Sequence, residues 1–487
     1  MRKYNNFNRI IQILDKIFLT YYNYTIPKNK CQRKELGMKD LTQGNIYKTF
    51  FIFGLPLVLS GVLSQSFHIV DTMIAGKFLG DNGLAAMGAV SPYISFCSSV
   101  LWGFGSGCGI YFARLFAAGE YKRIKEGVYS VYALLLFCCM FIGIGSVVFN
   151  KLIFDLLQVD ETLRAEALRY FVVYMLGLFF VVSNTWGVYI TTGFGIGRFP
   201  FFMSMISAVI NIVGNLFCVA VLKTGVIGLA ISTIAAAMTV SICYFFKLRK
   251  CFVEMGVHKE KVRISMREAQ RTFSYSIPTC LQQSVMYFFP MLLSPLVNQL
   301  SPSAIAARTV VMRVYNLCTS IYQNSARALS NYTSQCIGHN ERDKIKKGVF
   351  VGLLQGLAFA LPAVLLCSIA HKAVFGLFFN AETNALTKEY AYLFATRYLP
   401  FIWMQLVCNL FHHLFRGVKA MRYLFSSTLL GAVTQYIASA LLIPSLGLEG
   451  YYLGWVISWG VEAAFSTILF FLGRWNNPKE RRRQNAV

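Results

Sequence analysis

Charge is what this sequence has least of. Lys, Arg, Asp and Glu make up 14% of its 487 residues and only 21 of them are acidic, too thin a polar complement to keep a folded chain of this length in water. Organised cysteine is missing as well. The 13 cysteines are scattered through apolar segments, as Cys138 and Cys139 are, with no CxxC pair and no His at metal-ligand spacing. They read as small apolar packing residues rather than a disulfide framework or a metal centre. Clustered carboxylates are lacking too: no DxxxD-type motif and no His/Asp loop marks the polar connections, which argues against a membrane-embedded transferase or other enzyme. Residues 1–37 have neither the apolar core nor the small-residue cleavage site of a signal peptide. They read as a cytoplasmic extension, with translation starting at Met1 or at Met38, which opens MKDLTQGNIYKTFFIFGLPL.

What is abundant is apolar sequence. Hydrophobic residues make up 56% of the chain, mean hydropathy is +0.53, and stretches of the ~20 residues needed to span a bilayer recur across 50–472. The formal charge of +25 is confined to alternate connections. Lys and Arg crowd 2–48, 114–125, 247–271, 342–347 and 474–483, whereas the intervening connections 80–83, 155–161, 300–303 and 444–449 are short and neutral or acidic. Such alternation is the positive-inside pattern, not a nucleic-acid surface. It places both termini and the central linker in the cytoplasm of a multi-pass cell-membrane protein and requires an even number of spans.

The chain repeats itself. ARLFAAGEYKRIKEGVY at 113–129 aligns without gaps on SQCIGHNERDKIKKGVF at 334–350, matching Glu120, Ile124, Lys125, Gly127 and Val128 to Glu341, Ile345, Lys346, Gly348 and Val349. Leu55-Pro56 answers Ile277-Pro278, and Leu84-Ala85-Ala86 answers Ile305-Ala306-Ala307, at nearly the same offset. The expected fold is therefore an all-α membrane protein of about twelve transmembrane helices, in two six-helix bundles related by a pseudo-two-fold axis along the membrane normal. Its divisions fall at 1–48 (basic extension), 49–247 (first bundle), 248–270 (cytoplasmic linker), 271–472 (second bundle) and 473–487 (basic tail). A cleft between halves that rock about the linker suits a transporter better than a channel.

Polar residues inside spans are the functional candidates, because an ionisable group at mid-bilayer costs several kcal/mol. Asp71 lies in the first span, 49–78, with Ser64 and His68 on the same helical face. A carboxylate in a low-dielectric cleft can exchange a proton or bind Na⁺; the competing reading has it neutralised by a neighbour such as Lys77. Asn211 and Asn215, one turn apart in the fifth span, suit either paired ligands or interhelical glue. Asn184 in the fourth span and Thr233 in the sixth are weaker candidates. The second-half counterpart of Asp71 is Leu293, so only the first half looks ion-coupled. The eighth span carries Arg308, Arg313 and Arg327. Snorkelling suits the first two, near the outer end, while Arg327 lies deeper and either lines the cavity or pairs structurally. Glu462 and the pair His412-His413 suit a proton relay, but are expected to be satisfied locally. The alternating Gly103, Gly105, Gly107 and Gly109 read as close helix packing before a bend. Pro278, Pro290 and Pro295 make the seventh span a candidate for a break.

These residues carry a resemblance. GLPLVLSGVLSQSFHIVDTMIAGKFLGDNGLAAMGAV at 54–90 and IPTCLQQSVMYFFPMLLSPLVNQLSPSAIAA at 277–307 closely resemble the starts of the two halves of the multidrug and toxic compound extrusion (MATE) family, bacterial type. The paired basic loops are similar as well. The resemblance implies two six-helix bundles in a V, extruding small organic substrates, often cationic, in exchange for H⁺ or Na⁺, with no cofactor and no nucleic-acid partner, as a monomer in the bilayer. By that resemblance Asp71 carries the coupling ion. Asn211 matches the first residue of an Asn-x-x-x-Asp motif in which this chain has Asn215 for the aspartate, a departure that removes a negative ligand and disfavours Na⁺. Gln282 and Gln283 stand where some branches have a nearby glutamate, and with Ser64, His68, Arg308 and Arg327 they are the substrate-cavity candidates. Arg308 and Arg327 replace residues that are usually uncharged in related bacterial sequences, which leaves a lipid-linked oligosaccharide flippase of related architecture as the competing reading.

Overall fold

A computed structural model describes residues 38–475 apart from 158, 160, 262–263, 299, 380–383 and 474. The expectations for residues 1–37 and the tail beyond 475, and for the side chains of His68 and Lys77, lie outside the described residues. Among those described, the chain is helical, with no strand.

The first helical run, α1 (Ile46–Ala117), opens on Asn45, whose side chain accepts the backbone N–H of Tyr47 at 3.0 Å and of Lys48 at 3.3 Å. Its 72 residues would extend ~108 Å if straight, several times a bilayer core. Yet Met38 and Asp40, just before it, and Phe116 and Ala117, at its end, line one recess. The run therefore doubles back as two antiparallel spans, Ile46–Asp71 and Ala86–Ala117. Next come α2 (Tyr121–Val148), the short α3 (Asn150–Leu156), and α4 (Glu161–Leu176) with α5 (Leu178–Gly193), a single span bent by 49° at Gly177. α6 (Arg198–Asn215), prolonged by a π-helical turn Leu216–Val221, and α7 (Val226–Glu254) complete six spans. The second half repeats the plan in α8 (Met266–Asn298), α9 (Pro302–Gly338), α10 (Lys344–Ile369), the short α11 (His371–Gly376) and α12 (Ala385–Leu393). α12 runs through a π turn Phe394–Tyr398 and a 3₁₀ turn Leu399–Phe401 into α13 (Ile402–Gly417), and α14 (Met421–Leu446) and α15 (Leu448–Phe471) close the chain.

Duplication extends to the backbone. The left-handed residues Gly119, Gly195 and Gly225 of the first half recur as Asn340, Lys419 and Gly447 in the second, at the same turns and in the same order. At two of these turns the second half holds a side chain where a glycine relieves the Cβ clash of positive φ. The break expected from Pro278, Pro290 and Pro295 is not there: α8 is helical throughout, since neighbouring helices can satisfy the backbone groups that a membrane proline frees. Irregularity falls instead at Gly177, after Asn215 and before α13.

Among the described residues, eight helices are long and apolar enough to cross a membrane, and the α4–α5 pair makes a ninth. The three remaining spans, α8, α9 and α12–α13, are the ones that carry Gln282, Arg308, Arg327, His412 and Arg416. Each half has its own core, one centred on Phe112, Phe171, Trp186 and Phe194, the other on Phe375, Phe394, Tyr452 and Trp455.

The halves meet through span 1 against α9 and span 2 against α8, the exchange of partners that a two-fold axis requires. Gly103 and Gly107 make this contact possible. A Cβ on Gly107 would lie 2.5 Å from Ser276 Cα and one on Gly103 2.8 Å from Thr279 O. Gly105 and Gly109 face the other way, against Trp186 and the Tyr189 backbone. All four thus serve close packing, on two different faces. The contact runs from the end bearing the basic loops, where Gln335 accepts the Leu41 N–H at 2.7 Å, inward to Gly61, whose Cβ would meet the Asn324 amide.

Candidate functional site

A polar cluster forms where span 1 meets α6 and α7. Asn215, fully buried, donates from Nδ2 to Asp71 Oδ1 and, at 3.3 Å, to Asn211 Oδ1. Asn211 in turn donates from Nδ2 to Thr233 Oγ1 at 3.1 Å. Ser232 donates to Asn215 Oδ1. The local sequence makes this possible: Asn211 and Asn215 share a face one turn apart, and Gly214 admits α7, since a Cβ there would lie 2.8 Å from Ser232 Cβ. The π turn directly after Asn215 loosens the helical ladder beside the cluster, a frequent accompaniment of functional sites. Tyr170 and Tyr174 of α4 lie within electrostatic reach of Asp71. Val70 and Ile74 pack with Val219 and Leu229 around it.

The structure thus brings together Asp71, Asn211, Asn215 and Thr233, while half-buried Asn184 and Ser64 take no part in the network. Sequence reasoning missed Ser232, Tyr170 and Tyr174. The first adjoins Thr233, and the tyrosines are a one-turn pair in the fourth span, but neither signal separates them from ordinary packing residues. Every amide oxygen of the cluster already accepts a hydrogen bond, and Asn215 turns its N–H toward Asp71. That arrangement presents Asp71 with an N–H donor rather than with further oxygens. Among the described residues no three His, Cys, Asp or Glu side chains gather as metal ligands.

A second network fills the other half. Gln282, buried, accepts from Arg416 Nη2 at 2.6 Å and donates to Thr428 Oγ1 at 3.2 Å. His412 Nε2 lies 3.1 Å from Glu462 Oε1 and 3.2 Å from Ser427 Oγ, for which Gly431 leaves room: a Cβ there would lie 2.7 Å from the Glu462 carboxyl carbon. His412 and Glu462 are therefore satisfied locally, as expected, whereas His413 keeps an unpartnered Nδ1. Arg416 reaches across the boundary, donating from Nη1 to Ser106 Oγ at 3.2 Å. Arg327 crosses it too, its guanidinium 4.7 Å from the centre of the Tyr189 ring. Gln283 packs at Gly103. Arg308 lies 5.2 Å from the Tyr451 ring within the second half, beside Arg313, and is not brought to Arg327. Nothing in the sequence distinguished Arg416 from the basic residues that flank spans.

Among the described residues, twelve spans in two like bundles, meeting about a two-fold axis, define a membrane transporter rather than an enzyme. The family model MatE matches residues 56–217 and 278–440, and the chain belongs to that family. Among curated proteins it is 22% identical over 444 residues to a probable multidrug resistance protein of Bacillus subtilis (strain 168), YpnP, covering 90% of this chain and 98% of that one. It is also 22% identical over 445 residues to the probable multidrug resistance protein NorM of Pasteurella multocida (strain Pm70), covering 86% and 93%. Among solved structures, an outward-facing multidrug resistance MATE family transporter of the MOP superfamily superposes with a TM-score of 0.81 at 20% identity, over 92% of this chain and 99% of that one.

Proposed function

We propose that the protein exports small organic compounds from the cell in exchange for H⁺, by alternating access, with Asp71 as the proton-carrying group. The supporting observation is the hydrogen bond from Asn215 to Asp71 inside a cluster whose other members are neutral. Protonation of Asp71 removes the acceptor charge and so weakens the hydrogen bond from Asn215 that ties span 1 to α6, which links proton binding to helix movement. Na⁺ coupling would require the Asn215 amide to turn over and release Ser232. We place the basic end in the cytoplasm on the positive-inside pattern. The contact from Leu41–Gln335 to Gly61–Asn324 then closes the cytoplasmic side, consistent with the likeness to an outward-facing relative. The bundles 49–247 and 271–472 would rock about the linker 248–270, as one chain without a cofactor.

The test is efflux of a fluorescent organic compound from proteoliposomes under an imposed ΔpH or Na⁺ gradient, comparing the parent with Asp71→Asn. Transport driven by ΔpH alone and abolished in the variant is expected. Transport driven by Na⁺, or unchanged in Asp71→Asn, contradicts the reading.

A further inference from the structure

The boundary between the halves holds positive charge that the described residues do not balance. Among the described residues Arg327 has no ion-pair partner; it rests on Tyr189 of the first half with its Nε unpartnered. Arg416, only 7% exposed, spends its two Nη groups on neutral oxygens of Ser106 and Gln282, and its Nε is unpartnered too. The two guanidinium groups lie within electrostatic reach of each other and of His413, which is 9% exposed with its own Nδ1 unpartnered. One turn beyond Arg327, Asn331 adds an unpartnered Nδ2 at 4% exposure, and Tyr244, fully buried near Arg327, adds an unpartnered hydroxyl.

The carboxylates nearby are already engaged, Asp71 by Asn215 and Glu462 by His412. Glu268, toward the basic end, holds Arg123 and Arg271. What is orphaned is therefore mainly donors: two guanidinium N–H groups and an amide, at a buried boundary where an unpaired charge is expensive. A cationic ligand would add to that excess. An acceptor-rich anion would fill it, and a guanidinium fork is built to hold a carboxylate or phosphate oxygen pair.

We infer that the boundary between the two bundles binds organic anions, compounds with a carboxylate or phosphate head that Arg327 and Arg416 hold together and an apolar body. The inference deepens the exporter reading by naming the substrate class of its cleft. The anionic head can belong to a soluble compound or to a lipid, since both present the same oxygens.

A matched pair of probes tests it. Full-length protein in zwitterionic nanodiscs is titrated with dansylglycine, which carries a carboxylate, and with dansylcadaverine, which carries an ammonium on the same fluorophore. Dansylglycine is expected to bind the parent, to bind Arg327→Ala and Arg416→Ala about tenfold or more weakly, as loss of a charge-assisted hydrogen bond implies, and to recover in part in Arg327→Lys and Arg416→Lys. The lysine variants keep the charge and guard against misfolding as the cause. Phosphatidylglycerol in the nanodisc is expected to compete if the natural anion is a lipid head and not to compete if it is soluble; either outcome supports the anion class. Binding of dansylcadaverine but not dansylglycine by the parent, or equal dansylglycine affinity in the parent and both alanine variants, overturns it. Arginine-dependent dansylglycine binding without gradient-driven transport would sink the exporter reading and leave the anion site standing. Proton-driven transport of cations, indifferent to the arginines, would do the reverse.

Discussion

At Gly107 the boundary between the halves leaves no room for a side chain. A Cβ added there would lie 2.5 Å from Ser276 Cα and 2.7 Å from Tyr275 O, against ~3.5–4 Å for relaxed carbon contacts. The obstructing atoms are backbone, so α8 and span 2 must separate by about 1 Å, at the ~1–3 kcal/mol typical of overpacking. That cost falls only on the state in which the halves touch here. Gly107→Ala should therefore shift the balance toward the separated state by roughly 5- to 150-fold. Cys108 reports it: fully buried, its thiol sits 3.5 Å from Ser276 Oγ, inside the same contact. N-ethylmaleimide labelling of Cys108, quantified by mass spectrometry, is expected to speed up in Gly107→Ala. The control is Gly105→Ala, whose Cβ would strike the Trp186 ring within the first half at 2.5 Å. Unchanged labelling in Gly107→Ala, or equal acceleration in both variants, would refute the reasoning.

Three more perturbations bear on the site and its scaffold. Asn215→Asp places a second carboxylate against Asp71 and supplies the anionic oxygens that Na⁺ needs; its unfolding temperature is expected to rise in NaCl over choline chloride, with no such response in the parent. Lys419, at the turn between α13 and α14, lies 4.0 Å over the Tyr275 ring, and burial, then Arg114, pulls its pKa from 10.5 down to about 8. The folded state thus releases this proton first, so stability is expected to rise between about pH 8 and pH 10.5, and Lys419→Met should abolish that rise in a pH-resolved melting series. Asn340→Gly, at φ 62°, is expected to change stability by no more than about 1 kcal/mol, with relief of strain opposing the added freedom of the unfolded chain. Gly119→Ala at the matching turn, φ 75°, should destabilise, as chemical melts would show.

The fold was legible because membrane residence and duplication both write directly into sequence. Apolar length marked most spans, and the matched basic loops fixed the repeat, down to Gly119 and Asn340 sharing a turn. Hydropathy alone undercounts the spans, since α8, α9 and α12–α13 carry polar side chains at the boundary between the halves. Asp71, Asn211, Asn215 and Thr233 could be singled out because a polar group within an apolar run is conspicuous. Ser232 could not, because serine is common in such helices and only the approach allowed by Gly214 gives it a partner. Arg416 was hidden for the opposite reason. It stands at the end of a span, where basic residues ordinarily flank the membrane, and only the fold shows its side chain turned inward to Gln282 and Ser106. Proline misled in α8 because sequence does not reveal which neighbours take over the freed backbone groups.

Whether Asp71 carries the coupling proton is tested most directly by proton release. Purified protein in a weakly buffered solution with a pH-sensitive dye receives a compound that it transports, and the protons released per protein are counted for the parent and for Asp71→Asn. Substrate-induced release by the parent, and none by a folded Asp71→Asn that still binds the compound, is expected. Equal release by both would contradict the assignment and move the coupling group elsewhere, with the His412–Glu462 pair the next place to look.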